Sequence, residues 1–396
     1  VVMPMPETDM IDNFCMYSSK SRKGHLKLKS LDVYAGYVVN ETFKALDPDV
    51  VPPNWDISGR ASVIETNNAD QFDTTSLLLY DGSKASYKYD KLKGSSTISF
   101  SFLAKGNGSL NMTAGNVSVS LEGGNLYLKA GGSQKIWDNV KLNQYYDILL
   151  EQDGETGKLN AYVNNIKKAA VDYKAEHDAV SFTSSGCDVI LDSVVVYEGI
   201  EKSDVPAPEK VDTGDYIIGM QTCDLWHEGD HFGWDCIRKY DNRTPLAGYY
   251  DDNDQEYVDW EIKWWAEHGI SLYFPCWYRE FRNVPIREAH HNQKIERFKH
   301  SQYSDSAKFA VCYENSGRIS NDEDFLNSVF TYWIEHYFKH PSYLVIDNKP
   351  IIGIWSHGLF LDDCGSPEKV AALFEKAEEM LKQEGFSGAI WLTNYM

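Results

Sequence analysis

The hydrophobic pattern of the sequence changes near residue 205, and this change limits the chain to a fold of two parts. Before it, short runs alternate apolar and polar residues, as at 97–102 and 117–121. After it, strand-length apolar runs alternate with stretches of helical periodicity. The first pattern is typical of antiparallel sheets, and the second indicates a parallel sheet with helices. We therefore predict a multidomain protein with an all-β sandwich over 1–204 and an α/β domain over 215–396.

The segment between the two parts, residues 205–214, has the composition of a linker. It carries two prolines and several charged residues, and it shows no apolar periodicity. Proline removes a backbone donor and fixes φ, so such a segment favours an extended chain over a helix. We predict an extended, solvated connection here.

The predicted strands of the first part show motifs that point to one kind of sandwich. The run YYDILL at 145–150 precedes an acidic-glycine turn, YVNN follows at 162–165, and DSVVV closes the series from Asp192. At these residues the sequence resembles the concanavalin A-like, laminin-G-like jelly roll, over roughly residues 20–200. Asn165 stands where that family has Gly, and Asn also tolerates positive φ.

This resemblance leaves two roles open for the sandwich. It implies either a carbohydrate-binding module that uses its concave face or a spacer that packs against the second domain. Aromatic rings stack on sugar faces, and the candidate rings for a groove are Trp55, Tyr80, Tyr87, Tyr89, Tyr127 and Trp137.

In the second part, residues 245–278 predict a turn, a helix and a buried strand. Asp254 is a candidate N-cap for a helix over about 254–268, and Gly269 suits a position of positive φ after it. The apolar run at 270–275 then predicts a strand, which places Trp277 and Tyr278 just beyond its carboxyl end. Groups at the carboxyl ends of parallel strands form the ligand sites of α/β folds.

The number of strand–helix repeats limits the architecture. We count about five βα units before residue 396, whereas a (β/α)8-type barrel has eight. We therefore expect an incomplete barrel in a truncated chain, with an open α/β fold as the alternative.

The predicted strand ends carry the residue types that glycosidic bond cleavage needs. Aromatic rings hold a sugar, one carboxylic acid protonates the leaving oxygen, and a second group stabilises or attacks the oxocarbenium centre. Glu314 is the candidate catalytic carboxylate. The candidate substrate-binding residues are Trp226, His227, Tyr250, Asp251, Trp277, Tyr278, Asn315, His357 and Asn394.

Longer strings in the second part are similar to glycoside hydrolase family 99-like domains, which include glycosyltransferase-like relatives. They are PLAGYYDDNDQEYVDWEIKWWAEHGI from 245, KFAVCYENSG from 308 and YFKHPSYLVIDNKP from 337. The resemblance implies a TIM barrel acting on α-mannoside or related glycans. Ser271 and the Pro275–Cys276 pair depart from the family pattern. The family's catalytic carboxylates lie after strands that this sequence does not reach, which favours substrate binding by Glu314 over sole catalysis.

Charge and composition exclude several partners. A net charge of −21 disfavours nucleic acid and anionic membrane, which are both polyanions. No run of about 20 apolar residues is present, so we predict no membrane span. The glycan chemistry favours a secreted, periplasmic or cell-surface protein.

Cysteine spacing and cofactors complete the sequence predictions. No CxxC motif occurs, which disfavours a zinc site. Cys15 with Cys187, or Cys223 with Cys236, could pair, and buried thiols are the alternative. We expect no cofactor, with a structural Ca²⁺ in the sandwich left open.

Three functions are compatible with these residues. The first is a secreted glycoside hydrolase with an accessory sandwich domain. The second is a carbohydrate-binding protein without catalysis. The third is a glycosyltransferase-like protein of polysaccharide assembly, which an extracellular location would disfavour because activated sugar donors are cytoplasmic.

Overall fold

A computed structural model describes residues 37–43, 46–66, 75–92, 94–201, 203–226, 234–282, 286 and 292–393. The described chain forms two antiparallel sheets that face each other and a third, mostly parallel sheet flanked by helices. It has two large hydrophobic cores, one inside the sandwich and one between the third sheet and its helices.

The sandwich contains fifteen strands. They are β1 Tyr37–Glu41, β2 Asp56–Ser58, β3 Ala61–Glu65, β4 Thr75–Leu79, β5 Lys84–Lys88, β6 Ser96–Ala104, β7 Ser109–Ala114, β8 Val117–Glu122, β9 Asn125–Lys129, β10 Ser133–Trp137, β11 Tyr145–Asp153, β12 Lys158–Val163, β13 Ile166–Asp172, β14 Ala179–Ser185 and β15 Val189–Glu198.

The chain crosses repeatedly between the two sheets of the sandwich. The first sheet has the order β13-β12-β11-β6-β15-β4-β3, with β1 on β15, and the second has the order β10-β9-β8-β7-β14-β5-β2. Along β7, for example, Leu110, Met112 and Ala114 point into the core while the residues between them face outward. The predicted sandwich is confirmed, and Asn164 and Asn165 both have positive φ in the β12–β13 turn.

The second unit alternates strands and helices, as the apolar periodicity predicts. Its strands are β16 Gly219–Thr222, β17 Leu272–Tyr278, β18 Lys308–Phe309, β19 Val311–Glu314, β20 Val345–Ile346, β21 Lys349–Ile354 and β22 Ile390–Thr393. Its helices are α1 Gln255–Glu267, α2 Gln293–His300, α3, α4 His357–Cys364 and α5 Pro367–Gln383. Helix α3 consists of π-helical Phe325–Phe330, α-helical Thr331–Trp333 and π-helical Ile334–Phe338.

Several local signals in this unit are confirmed. The Asp254 side chain accepts from the backbone N–H of Tyr257 at the start of α1, and Gly269 has a φ of 75° after its end. Ser366 caps α5 in the same way, with Pro367 as its first residue. These caps satisfy donors that a helix terminus leaves free.

The third sheet does not form a closed barrel within the described residues. Strands β16, β17, β19, β21 and β22 run parallel and lie side by side in chain order, while β20 pairs antiparallel with β21. Sequential order is the arrangement from which a barrel is built. The complete barrel therefore remains a prediction.

Most of residues 205–214 are exposed, in agreement with the solvated segment predicted, but the segment also contacts the α/β unit. Residues 203–218 contain no helix or strand, yet Val205 is buried. The Val205 carbonyl accepts from the Tyr303 hydroxyl, and Val211 N–H donates to the carbonyl of Ala266 at 2.9 Å. The segment is thus extended but attached to the α/β unit, because its backbone finds partners there.

The sandwich and the α/β unit share a buried polar contact at Glu335 on α3. Its Oε2 accepts from Trp137 Nε1 at 3.1 Å and from the Tyr146 hydroxyl at 3.0 Å. Its Oε1 lies 2.9 Å from Lys339 Nζ, and its carbonyl accepts from Asn164 Nδ2 at 3.1 Å. A buried carboxylate needs such partners, so this residue fixes how the two units meet.

No helix of the described chain is long and apolar enough to span a membrane. Cys187 and Cys223 carry free thiols, so the predicted pairing of Cys223 with Cys236 is not formed. Cys15 lies outside the described residues. Cys223 instead lies beside Cys276 on the neighbouring strand, with the two sulfurs 3.6 Å apart.

Candidate functional site

The carboxyl ends of β17, β19 and β21 bring four residues together, which we call the strand-end site: Tyr278, Glu314, Asn315 and Trp355. Tyr278 is directly paired with Glu314 across the parallel strands. Because Tyr313 is paired with Ile354, Trp355 follows at the same level on the third strand. The register of the sheet therefore places Tyr278, Glu314 and Trp355 next to one another, and their role in ligand binding stays a prediction.

Glu314 is the acidic group of this site. Its side chain is half-buried, and Oε1 accepts from the backbone N–H of Ser316 at 3.3 Å. Burial, the contact with Cys223 and the charge of Glu314 together raise the pKa of Tyr278. A half-buried carboxylate beside a phenol can accept sugar hydroxyls or transfer a proton.

Asn315 has a different position from the one expected of a ligand-binding group. It is buried, and its Nδ2 donates to the Ser356 carbonyl at 2.8 Å while its Oδ1 accepts from Ser356 N–H at 2.9 Å. The amide therefore joins the ends of β19 and β21. Its role in this structure is to position the strand ends around Glu314.

Trp277 is not available to stack on a ligand. Strand β17 continues to Tyr278, beyond the predicted end at 275, so Trp277 alternates onto the helix-covered face. The ring is completely buried against Trp333, and Nε1 donates to the Tyr337 hydroxyl at 3.0 Å. The expected substrate contact is replaced by core packing.

Two features hold Tyr278 in place. The side chain of Asn292 accepts from its backbone N–H at 3.0 Å and donates to its carbonyl at 2.8 Å. Cys223, directly after β16, also interacts with Tyr278, and this interaction raises the pKa of Tyr278. Cys223 was not among the candidates, since a single thiol after a strand carries no sequence signal of its own.

The other candidates near β16 form an aromatic cluster. The Trp226 and Trp234 ring centroids are 4.4 Å apart, and Tyr250 stacks on Tyr257 at 3.9 Å. Asp251 is exposed, and its Oδ1 accepts from Asn253 N–H at 2.7 Å in a tight turn. Asp251 thus shapes the loop that carries Tyr250.

Of the three remaining candidates, the structure describes one. His357 is exposed at the start of α4, one residue after Ser356. His227 and Asn394 lie outside the described residues.

A group of buried charges lies beneath α1 and α2, and we call it the closed cluster: Lys294 with Asp224, Asp252 and Glu261. Lys294 Nζ lies 3.3 Å from Asp224, 3.0 Å from Asp252 and 2.5 Å from Glu261. Burial raises the pKa of Asp252 and of Glu261, and the neighbouring carboxylates outweigh burial to raise the pKa of Lys294.

The closed cluster organises the loop after β16. Asp252 Oδ2 accepts from Trp226 N–H at 2.9 Å, and the Tyr273 hydroxyl hydrogen-bonds to Asp224. Lys294 and Glu261 carry no sequence signal of a shared cluster, because each lies on a helix far along the chain from Asp224. Among the described residues, no three His, Cys, Asp or Glu side chains are grouped as metal ligands.

The candidate rings of the sandwich lie in different surroundings. Trp55 is buried in the sandwich core, where it packs on Tyr87 with ring centroids 5.5 Å apart, and Trp137 lies at the contact with Glu335. Tyr89 packs on His177, and Tyr80 lies under the guanidinium of Arg60.

Tyr127 alternates with the core residues Leu126 and Leu128, so it faces outward on the second sheet. Its strand, β9, is separated from β5, the strand of Tyr87, by β8, β7 and β14, so these two rings do not line one groove.

Comparison with known proteins gives low similarity. No protein-family model matches the sequence, and no curated protein matches it. One similar solved structure is a sialidase, 13% identical with a TM-score of 0.33 over 41% of this chain, and the match spans 18% of the sialidase chain. Domain 4 of AbnA, a GH43 extracellular arabinanase from Geobacillus stearothermophilus, has 13% identity and a TM-score of 0.29 over 41% of this chain and 92% of its own.

A lectin, lectin II from Ulex europaeus, is also similar, with 12% identity and a TM-score of 0.28 over 41% of this chain and 98% of its own. What these proteins bind or cleave is a property of theirs. The resemblance to family 99-like domains stays a prediction.

Proposed function

We propose that this chain is a carbohydrate-active protein that binds a glycan at the strand-end site, and that its location is extracellular, periplasmic or on the cell surface. One observation carries the proposal: the direct pairing of Tyr278 with Glu314 at the carboxyl ends of parallel strands, with Trp355 beside them. An aromatic ring and an acidic acceptor at one edge match the apolar faces and hydroxyl groups of a sugar. The family 99-like strings in the same unit support the same ligand class.

Within this proposal Glu314 is the group that acts in glycoside hydrolysis. A carboxylic acid next to a bound sugar can protonate the leaving oxygen, and a second carboxyl group then activates water or attacks the anomeric carbon. Glu314 can take either role because it lies at the carboxyl end of β19 and its side chain is only half-buried.

A second function, binding without turnover, is favoured by the state of Asp324, whose ion-pair partner Arg279 follows Tyr278 in the chain. Asp324 is buried, lies 3.7 Å from Arg279 and accepts hydrogen bonds from Ser320 and Ser328. An acid held in this way does not supply the second catalytic group. A single open carboxylate can still bind sugar hydroxyls.

The test is Glu314→Gln in the full chain, with Glu323→Gln as the matched control because Glu323 is exposed on the same unit. Binding is measured on a glycan array and turnover by released reducing sugar. If Glu314 is catalytic, the variant keeps binding and loses at least 100-fold in rate. If it only binds, affinity falls about 10-fold and wild type shows no turnover. Unchanged binding and unchanged rate in Glu314→Gln would remove the strand-end site from the proposal.

A further inference from the structure

A polar groove lies where the outer face of the first sandwich sheet meets helix α2, and we call it the junction groove. Its volume is about 270 Å³, and it is lined by Ser99, Asp147, Glu151 and Tyr197 from the sandwich and by Glu296 and His300 from α2. Beyond Glu151 and His300 the space continues into a compartment of about 600 Å³. Both units therefore contribute to one concave surface.

Two acceptors in the groove lack donors. Glu296 is 5% exposed, and its Oε2 accepts from Asn165 at 2.9 Å and from Lys299 at 2.6 Å. Its Oε1 receives no hydrogen bond from the described residues, and neither does Nδ1 of His300. Buried polar atoms in native proteins are nearly always hydrogen-bonded, so these two indicate that a donor comes from outside the chain.

The charges of the groove select against anions. Arg297 lies 3.7 Å from Glu201, and Lys299 pairs with Glu296. Among the described residues no Lys or Arg forms an ion pair with Asp147 or Glu151, and the contact of Glu151 is His300, with Oε1 3.7 Å from Nε2. Burial, with a smaller contribution from the charge of Glu296, raises the pKa of Asp147 to about 6. An anionic ligand would add repulsion here.

The protonation states suit hydroxyl groups. Burial lowers the pKa of His300 to about 4, so its imidazole is neutral at pH 7 and offers an acceptor nitrogen. Asp147, with a pKa of about 6, is mostly ionised at pH 7 and accepts hydrogen bonds. A sugar hydroxyl is both donor and acceptor, and it can therefore pair with either group.

An aromatic pair lines the same space. Tyr37 and Tyr197 lie with ring centroids 5.1 Å apart. Such rings provide apolar faces for the C–H groups of a pyranose, next to the acceptors that its hydroxyls need.

We propose that the junction groove is a binding site for an uncharged saccharide, separate from the strand-end site and formed jointly by the sandwich and α2. It does not depend on catalysis by Glu314, since the groove contains none of the strand-end residues.

The test uses Ser99→Trp in the full chain, because Ser99 lies on the outer face and a bulky ring there fills the groove. The control is Thr113→Trp, an outward position on the opposite sheet. A glycan array identifies neutral saccharides that bind, and calorimetry then measures affinity. Ser99→Trp is expected to weaken binding at least 10-fold, while Thr113→Trp keeps an affinity within 2-fold of wild type.

Glu296→Gln is the second variant and covers the case in which Ser99→Trp does not fold. It retains the shape of the side chain but changes an acceptor into a donor, so it should weaken binding about 5-fold or more. Uronic-acid oligosaccharides should bind at least 10-fold more weakly than their neutral counterparts. The proposal is overturned if no neutral saccharide binds, if amines or anions bind instead, or if both groove variants bind as wild type does.

Discussion

The closed cluster and the strand-end site contain the same kinds of side chain within one α/β unit, but their surroundings differ. Asp224 and Asp252 are 3% and 0% exposed and lie against Lys294. Glu314 is half-buried at the carboxyl end of β19, and its Oε1 accepts a single 3.3 Å hydrogen bond, from the backbone N–H of Ser316. The difference shows that proximity to a strand end does not decide whether a carboxylate is enclosed by protein partners.

What decides it is the face of the sheet on which the side chain lies. Asp224 hydrogen-bonds to Tyr273, a residue on the helix-covered face, whereas Glu314 pairs with Tyr278 on the other face. A charged side chain under the helices is removed from water and needs hydrogen-bond or ion-pair partners within the protein. A half-buried one at the carboxyl end of a strand can still accept a hydrogen bond from a ligand. The closed cluster should therefore control stability, and the strand-end site should control binding.

The largest expected effect comes from Lys294→Met. The change leaves three buried carboxylates without their cation, which costs about 3–5 kcal/mol of unfolding free energy. Urea denaturation measures this loss. Lys376→Met is the matched control, since Lys376 is 60% exposed and its 4.0 Å contact with Glu323 is a surface pair worth under about 1 kcal/mol.

Equal unfolding midpoints for the two lysine variants would contradict the conclusion that the closed cluster controls stability. A folded Lys294→Met variant with wild-type stability would mean that the carboxylates share protons without needing the cation.

The second prediction concerns pH. Because burial raises the pKa of Asp252 and of Glu261 in the folded state, the native protein binds more protons than the unfolded chain above about pH 4. Their contribution to the free energy of unfolding therefore falls as pH rises through the folded pKa values, by at most about 1.4 kcal/mol per pH unit for each proton. Asp252→Asn should lose less stability than wild type between pH 4 and 7.

The wild-type protein serves as the reference in that series. Denaturation at several pH values gives both curves. An Asp252→Asn curve parallel to wild type would show that the cluster does not take up protons on folding.

Local sequence patterns predicted the helices, caps and turns of this molecule well, but they did not predict the directions of its side chains. Helix α1 and its Asp254 cap, the Asn164–Asn165 turn and the alternation of the sandwich strands depend on neighbouring residues, so the sequence predicts them well. The position of Trp277 depends on where β17 ends, and a strand that ends three residues later than expected reversed that inference.

The closed cluster and the junction groove depend on contacts between distant segments. Lys294 lies 70 residues from Asp224 along the chain, and Glu296 meets Asn165 over 131 residues. No periodicity or motif in the sequence predicts contacts between residues so far apart in the chain. The pairing of residues at the strand ends could be predicted from the sequence, because the ends of successive parallel strands lie next to one another in the sheet.

A smaller effect is expected at Gly353, on β21 below the strand-end site. A Cβ there would press on Phe274 and lie 3.1 Å from the Cα of Cys312. Gly353→Ala should therefore cost about 1–3 kcal/mol, since a packed sheet must shift to accept the methyl group. Gly317→Ala, where the nearest contact is an ordinary 3.6 Å, is the control and should be nearly neutral.

Thermal unfolding of the two alanine variants measures this difference. If Gly353→Ala also weakens glycan binding, the shift reaches Glu314 through β19, its neighbour. Equal stability of the two variants would show that the sheet yields at this point and does not hold the strand ends firmly.

The smallest effect should come from the cap of α1. Asp254→Ala removes the acceptor of the 2.8 Å bond from Tyr257 N–H and should cost about 1 kcal/mol, as should Ser366→Ala at the start of α5. The two caps differ in one respect: α1 also carries Glu261, which ties the helix to Lys294.

That tie makes the cap informative about the closed cluster. In the Lys294→Met background, α1 loses its anchor, so Asp254→Ala should cost more or less than it does alone by at least about 0.5 kcal/mol, while Ser366→Ala should stay additive. A double-mutant cycle by urea denaturation measures both couplings. Additivity at Asp254 would mean that the cluster acts on the loop after β16 and leaves the start of α1 to its cap alone.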